Sequence, residues 1–201
     1  MKIGIDFDNT IVEYDQLFHR LALESDLIPH SVPPLKQSIR DYLRSIGRED
    51  DWTLLQGQVY GAHMAHATPF AGVVQFIAHA ARLGHQVYIV SHKTQRPFMG
   101  PSYDLHGAAR SWIDSHLISL GQRLIPEEDV FFELTLTEKL ERISALKCEV
   151  FIDDLPEVLG HALMPPIRKF LFNPAVPNSP SQEWSVIGSW RDLTRHLLSE
   201  L

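Results

Sequence analysis

The chain has 201 residues, 44% of them hydrophobic and 21% charged, with a formal net charge of −7. That length supports one packed domain with a small appendage, and the acidic balance excludes a broad nucleic-acid face, which needs surplus Lys and Arg. The single cysteine, Cys148, excludes an intrachain disulfide, and no apolar run is long enough to span a bilayer. Asp6 and Asp8 interrupt the first apolar stretch, so the sequence predicts no signal peptide and a cytoplasmic protein.

In chain order, residues 2–7 read as a short buried strand. Leu17, Phe18, Leu21 and Leu23 have helical spacing and predict a helix over 15–27, which Pro29, Pro33 and Pro34 break. Further helices are expected over 35–46 and over 51–66, the latter with Asp50 or Asp51 as N-cap. A helix over 72–83 closes on Gly84. QVYIV at 86–90 is the next strand, followed by a Pro-, Gly- and base-rich loop over 92–103 and a helix over 105–117. Residues 130–133 form a short strand, and Thr135 to Glu138 spells a capping box that opens a helix over 136–147. EVFI at 149–152 is a strand ending at Asp153-Asp154; 169–172 is the last strand, 173–182 a proline-rich loop, and 190–198 a helix.

Strands alternating with helices predict an α/β, Rossmann-like open parallel sheet with helices on both faces. Ligands of such sheets sit beyond the carboxyl ends of the strands. The residues found there are Asp6, Asp8, Asn9 and Thr10 after the first strand, then Ser91, His92 and Lys93 after QVYIV. Lys139 begins its helix after the 130–133 strand, and Asp153 and Asp154 follow EVFI. Acids gathered at one place repel unless a cation joins them, and hard oxygen ligands suit Mg²⁺. A phosphoryl group in transfer needs what this set supplies: metal ligands, an ammonium, a hydroxyl and backbone N–H groups.

D-x-D-x-T after a first apolar strand, Ser after a second, a helix-borne Lys, then apolar residues ending in DD resemble the four motifs of the haloacid dehalogenase superfamily, in order and across essentially the whole chain. PFAGVVQFIAHAARLGHQVYIVSHKT is also similar to that superfamily's helix–strand unit leading into its hydroxyl motif. The resemblance implies a core formed by 1–13 and 68–201 and a small α-helical cap formed by 14–67. It implies Asp6 as nucleophile, Asp8 as general acid and base, and Lys139 as the bridge between phosphate and Asp6. Ser91 would bind a phosphate oxygen, with Asn9, Thr10, His92 and Lys93 as further substrate- or phosphate-binding candidates. Mg²⁺ would be held by Asp6, by Asp8 through its carbonyl, and by one of Asp153 and Asp154, with Asp154 the first choice. Because an acid stands two residues after the nucleophile, the resemblance implies phosphate chemistry rather than carbon–halogen cleavage.

The expected activity is Mg²⁺-dependent hydrolysis of a small phosphorylated metabolite through an aspartyl-phosphate, with no nucleic-acid or membrane partner. Two alternatives remain open at this stage: a phosphotransferase using the same residues, and a phospho-accepting or phospho-binding signalling module. A response-regulator receiver, the nearest such module, carries its acid pair before a lone central Asp and lacks an insertion like 14–67. Other features read as structural. His63 and His66 lack a third ligand for a transition metal, Trp52 and Tyr60 read as packing residues, and Cys148 reads as an inert core thiol. Arg96, with His92 and Lys93, is a candidate substrate contact. The sequence leaves the oligomeric state open.

Overall fold

A computed structural model describes residues 1–180 and 183–198. The elements are β1 (Lys2–Ile5), β2 (Val12–Glu13), α1 (Asp15–Glu24), α2 (Lys36–Ser45), α3 (Glu49–Tyr60), β3 (Thr68–Pro69), α4 (Val73–Arg82) and β4 (Gln86–His92). They continue with α5 (Leu105–His116), β5 (Ile118–Ser119), β6 (Gln122–Arg123), β7 (Val130–Glu133), α6 (Leu136–Ala145) and β8 (Val150–Asp153). The chain closes with α7 (Pro156–Leu159), β9 (Arg168–Phe172), β10 (Ser179–Pro180), β11 (Ser185–Ile187) and α8 (Trp190–Leu198).

The main sheet has the order β10-β11-β9-β8-β1-β4-β7. The pairings from β11 through to β7 are parallel, and β10 alone is antiparallel, on the edge. This is the expected α/β open sheet. The central strands are buried on both faces, as parallel strands flanked by helices must be: Ile3, Ile5, Val90, Val150 and Phe151 expose none of their surface. Strand β1 lies between β4 and β8, with Ile5 opposite Ile89 and Ile152. The polar residues that follow β1 therefore emerge next to the ends of both neighbours.

The chain forms two compact units. One comprises 1–12, 69–93 and 116–201 and contains the sheet; the other comprises 13–68 and 94–115 and is helical. Its core includes Phe18, Ile39, Leu43, Trp52, Leu55 and Trp112. Phe18 stacks on Trp52 with ring centroids 5.1 Å apart, and the Trp112 indole N–H donates to the Ala67 carbonyl at 2.9 Å. Residues 94–115, expected with the sheet, thus pack in the helical unit. An amphipathic helix flanked by strands carries no mark of which layer covers its apolar stripe.

Several boundaries differ from expectation. Helix α3 starts at Glu49, so Asp50 and Asp51 occupy its first turn rather than its cap; the cap position is Arg48, whose side chain makes no capping bond. Acids in a first turn still suit the helix dipole. The expected 51–66 helix stops at Tyr60, and Met64–His66 form a single 3₁₀ turn. Within the expected 173–182 loop lies β10, while residues 181 and 182 fall outside the described residues. No helix among the described residues is long and apolar enough to cross a membrane.

Candidate active site

The site is built at the carboxyl ends of β1, β4 and β8 and at the start of α6. Asp6 continues β1, and its backbone N–H still donates to the Ile152 carbonyl at 2.9 Å, which fixes the residue against β8. Beyond it the chain turns sharply: Ile11 N–H and Val12 N–H both donate to the Phe7 carbonyl, and Asn9 takes a positive φ of 57°. Asn is among the few non-glycine residues that tolerate this conformation. The turn sets Asp8 and Asn9 at the rim, half-buried, and Thr10 fully inside. The Thr10 carbonyl accepts the Trp190 indole N–H at 3.1 Å, tying the turn to α8.

Lys139 is the centre of the arrangement. Thr135 caps α6 through a complete capping box, and Lys139 N–H donates to the Thr135 carbonyl, so the lysine stands in the first turn. Its Nζ lies 2.6 Å from Asp6 Oδ1 and 2.6 Å from Asp153 Oδ2, and only 2% of its side chain is exposed. Burial opposes the charge on this ammonium, but the fields of Asp6 and Asp153 outweigh it and hold its pKa above the usual lysine value. One ammonium cannot neutralise two buried carboxylates. Burial, aided by the negative charge of Asp6 and opposed by Lys139, pushes Asp153 up to about 7. The second Asp153 oxygen accepts the Leu155 N–H at 2.9 Å.

Asp154 is half-buried and takes the Thr10 hydroxyl as a donor at 3.4 Å. Asp6, Asp153 and Asp154 offer oxygens that all lie within 4.8 Å of one another, a separation that a single cation can bridge. Among the described residues this is the one such cluster of His, Cys, Asp and Glu.

A second ion pair lies beside it. Lys93 Nζ contacts both Asp8 carboxylate oxygens, at 3.0 and 2.8 Å, and lies 5.7 Å from the Phe7 ring centroid. Strand β4 runs on through Ser91 and His92, pairing Ser91 with Phe132 and His92 with Glu133, and the Lys93 N–H donates to the Glu133 carbonyl. Alternation along a strand sends Ser91 and Lys93 to one face and His92 to the other. Ser91 and Lys93 are accordingly buried, and His92 is exposed. The structure thus joins Asp6, Lys139, Asp153, Asp154 and Thr10 in one set of close approaches and Asp8 with Lys93 in another. It sets Asn9 and Ser91 on the adjoining backbone and points His92 to the outside. The Lys93–Asp8 pair was absent from the sequence reading, although the period-two spacing of Ser91 and Lys93 was a signal for it. Cys148 is buried, and burial pushes its thiol up to about 11, as an inert core thiol requires.

No family model matches the chain. Two curated proteins are similar over nearly its full length, each named "Putative nucleotidase". The one from Oceanobacillus iheyensis is 21% identical, covering 98% of this chain and 100% of its own. The one from Bacillus cereus is 25% identical, covering 96% of each. Among solved structures, a HAD-hydrolase from Bacillus subtilis bound to magnesium superposes with a TM-score of 0.59 at 16% identity, over 98% of both chains. A HAD family hydrolase from Deinococcus radiodurans with bound phosphate and sodium superposes with a TM-score of 0.57 at 14% identity, over 98% of this chain and 95% of that one. The sheet order, the motif residues at its strand ends and these superpositions agree: the chain has the fold of the haloacid dehalogenase superfamily.

Proposed function

We propose that the protein is a Mg²⁺-dependent phosphohydrolase that cleaves a small phosphomonoester through an aspartyl-phosphate on Asp6. The observation that carries this reading is the Lys139 ammonium held between Asp6 and Asp153, with Asp154 completing a cluster of oxygens close enough to share a cation.

The donor set fits a hard divalent ion: three carboxylates against one buried ammonium leave negative charge that a dication offsets. Asp6 and Asp154 would hold it directly, with the Asp8 carbonyl as in the resemblance. Asp153, both of whose oxygens accept hydrogen bonds from Lys139 and Leu155, would anchor the lysine instead. When bound, the ion supplies charge neutralisation between the carboxylates and the phosphoryl oxygens.

The remaining chemistry belongs to the side chains. One Asp6 oxygen attacks phosphorus, and the bond from phosphorus to the ester oxygen breaks. Asp8, protonated at that stage, gives its proton to the departing alkoxide, so the alcohol leaves neutral. Water then attacks the same phosphorus, Asp8 takes back a proton, and the bond to Asp6 breaks, releasing inorganic phosphate. Lys139 offsets the charge that gathers on Asp6 and the phosphoryl oxygens, and Ser91 and the Asn9–Thr10 turn supply donors to them. Lys93 must yield its hold on Asp8 for that proton to be carried, and an incoming phosphate offers it a replacement anion.

Nucleotides are the first substrates to test, because both curated relatives carry nucleotidase names. The test measures phosphate release from nucleoside monophosphates, sugar phosphates and short-chain phosphates, with Mg²⁺ and with chelator, against Asp6→Asn as blank. Metal-dependent release that the Asp6→Asn protein loses by at least about 10³-fold is expected. Release that persists in chelator or in Asp6→Asn would sink the reading.

A further inference from the structure

The turn that carries Asp8, Asn9 and Thr10 is held from outside by the last helix. Within the turn, the N–H groups of Ile11 and Val12 both go to the Phe7 carbonyl. The Thr10 carbonyl belongs to a residue with no exposed surface, and it accepts the Trp190 indole N–H at 3.1 Å from 180 residues away. Leaving a buried carbonyl without its donor is costly, so this contact fixes where the Thr10 peptide can lie. On its other side Thr10 reaches the acid cluster. Its hydroxyl donates to Asp154 Oδ1 at 3.4 Å, and Asp154 shares the oxygen cluster with Asp6 and Asp153. All of these residues belong to the sheet unit.

The donor is itself fixed on every side. Ser189 caps α8: its hydroxyl accepts the Asp192 N–H at 3.1 Å and donates to the Asp192 carboxylate at 2.8 Å, which sets Trp190 at the first helical position. The indole packs against Phe76 of α4 and Phe172 of β9, with ring centroids 5.0 and 5.5 Å away. Gly72, at a φ of +92°, lies so near that a Cβ there would sit 3.2 Å from the Trp190 Cβ. Packing alone would be served by Phe or Leu at this position. An indole adds one donor, and burial obliges that donor to find an acceptor. The acceptor it finds stands two residues after Asp8, on the turn that begins the candidate active site.

We propose that Trp190 is a positioning residue: its N–H sets the Thr10 peptide and, through the Thr10 hydroxyl, sets Asp154 to receive a divalent cation. The proposal rests on the reading of Asp6 and Asp154 as the cation's ligands. Trp190 acts only through Thr10. Groups that orient a ligand from behind govern metal affinity, and their loss typically weakens binding about 10- to 100-fold. The C-terminal helix therefore takes part in building the site, although it contributes no ligand to it.

The test measures Mg²⁺ binding by titration calorimetry in the full chain, for wild type, Trp190→Phe, Phe76→Leu, Thr10→Val and the double variant Trp190→Phe/Thr10→Val, each checked by circular dichroism to be folded. Trp190→Phe keeps an aromatic ring and removes the N–H; Phe76→Leu loosens the same packing and keeps the N–H. The Mg²⁺ dissociation constant is expected to rise about tenfold in Trp190→Phe and to stay within about twofold of wild type in Phe76→Leu. The double variant should bind no more weakly than Thr10→Val, since both changes break one path. In phosphate release, half-saturation by Mg²⁺ should rise by the same factor in Trp190→Phe, with kcat restored at saturating Mg²⁺. Equal weakening in Trp190→Phe and Phe76→Leu, or weakening in neither, overturns the proposal, and Mg²⁺-dependent release by wild type then leaves the phosphohydrolase reading standing. A double variant weaker than Thr10→Val overturns the path through Thr10. Absence of Mg²⁺ binding in wild type overturns both readings. If Trp190→Phe does not fold, NMR decides: Mg²⁺ should shift the Trp190 indole N–H resonance in wild type and not in Thr10→Val, and a resonance unmoved in wild type overturns the proposal.

Discussion

The sheet unit and the helical unit place their polar groups by opposite means. At the strand ends charged groups are tied to one another, the two lysines fully inside: Lys139 to Asp6 and Asp153, Lys93 to the half-buried Asp8. In the helical unit the groups where residues 94–105 meet α3, among them Thr53, Gln56 and Thr94, are neutral, and the segment docks closely at Gly57 and Gly61. Charge fixed in a dry place stabilises a transition state without reorganising, at a cost in folding energy. Neutral, partly exposed side chains beside a loop contribute little to stability and tolerate substitution. The charged cluster is thus the part of the molecule least able to change, and the loop-lined side of the helical unit the part most able to.

That contrast can be broken from its strong side first. Lys139→Met strands two buried carboxylates, and a loss of about 3–5 kcal/mol in stability is expected together with loss of phosphate release. Adding Mg²⁺ should raise the melting temperature of this variant more than that of wild type, since the cation takes over neutralisation of Asp6. No shift in either protein would show that the cluster does not hold metal.

Lys93→Met sits between the extremes. The pair is buried on the lysine side, while the Asp8 side chain keeps 23% of its surface exposed, so water can reach the stranded carboxylate. A cost of about 1–3 kcal/mol is expected by denaturant unfolding. Activity should fall mainly for substrates with poor leaving groups, which depend most on proton delivery by Asp8; a uniform fall across leaving groups would make Lys93 a phosphate contact alone. Phe98→Ala marks the weak end: its unfolding free energy should stay within about 0.5 kcal/mol of wild type, as for an exposed side chain. A larger loss would mean that Phe98 packs in the fold.

Much of the sheet unit was legible because its signals are local. Apolar runs named the central strands, and β1, β4 and β8 ended in the candidate site residues; the T-x-x-E capping box located the start of α6, and with it Lys139. The second unit was legible only in part. The 14–67 helices were visible from their spacing, but nothing in 94–115 shows that its apolar residues Leu105 and Trp112 pack with 13–68 rather than under the sheet. That choice depends on long-range packing, which periodicity does not encode. Strands β10 and β11 escaped because Pro, Ser and Trp obscure the period-two pattern there. The docking of residues 94–105 on α3 was invisible for a related reason: Gly57 and Gly61 carry no motif and matter only when the loop closes over the helix.

The contact between Lys139 and Asp6 joins residues 133 apart in the chain. A link of that span closes a long loop, and the parallel strands between which it forms are themselves paired across distant segments. The Lys139–Asp6–Asp153 cluster therefore exists only after β8 and α6 have both docked beside β1. During refolding, competence to bind a divalent ion should lag behind the return of helical signal, so that acquisition of the metal serves as a clock for the final topological step rather than for collapse.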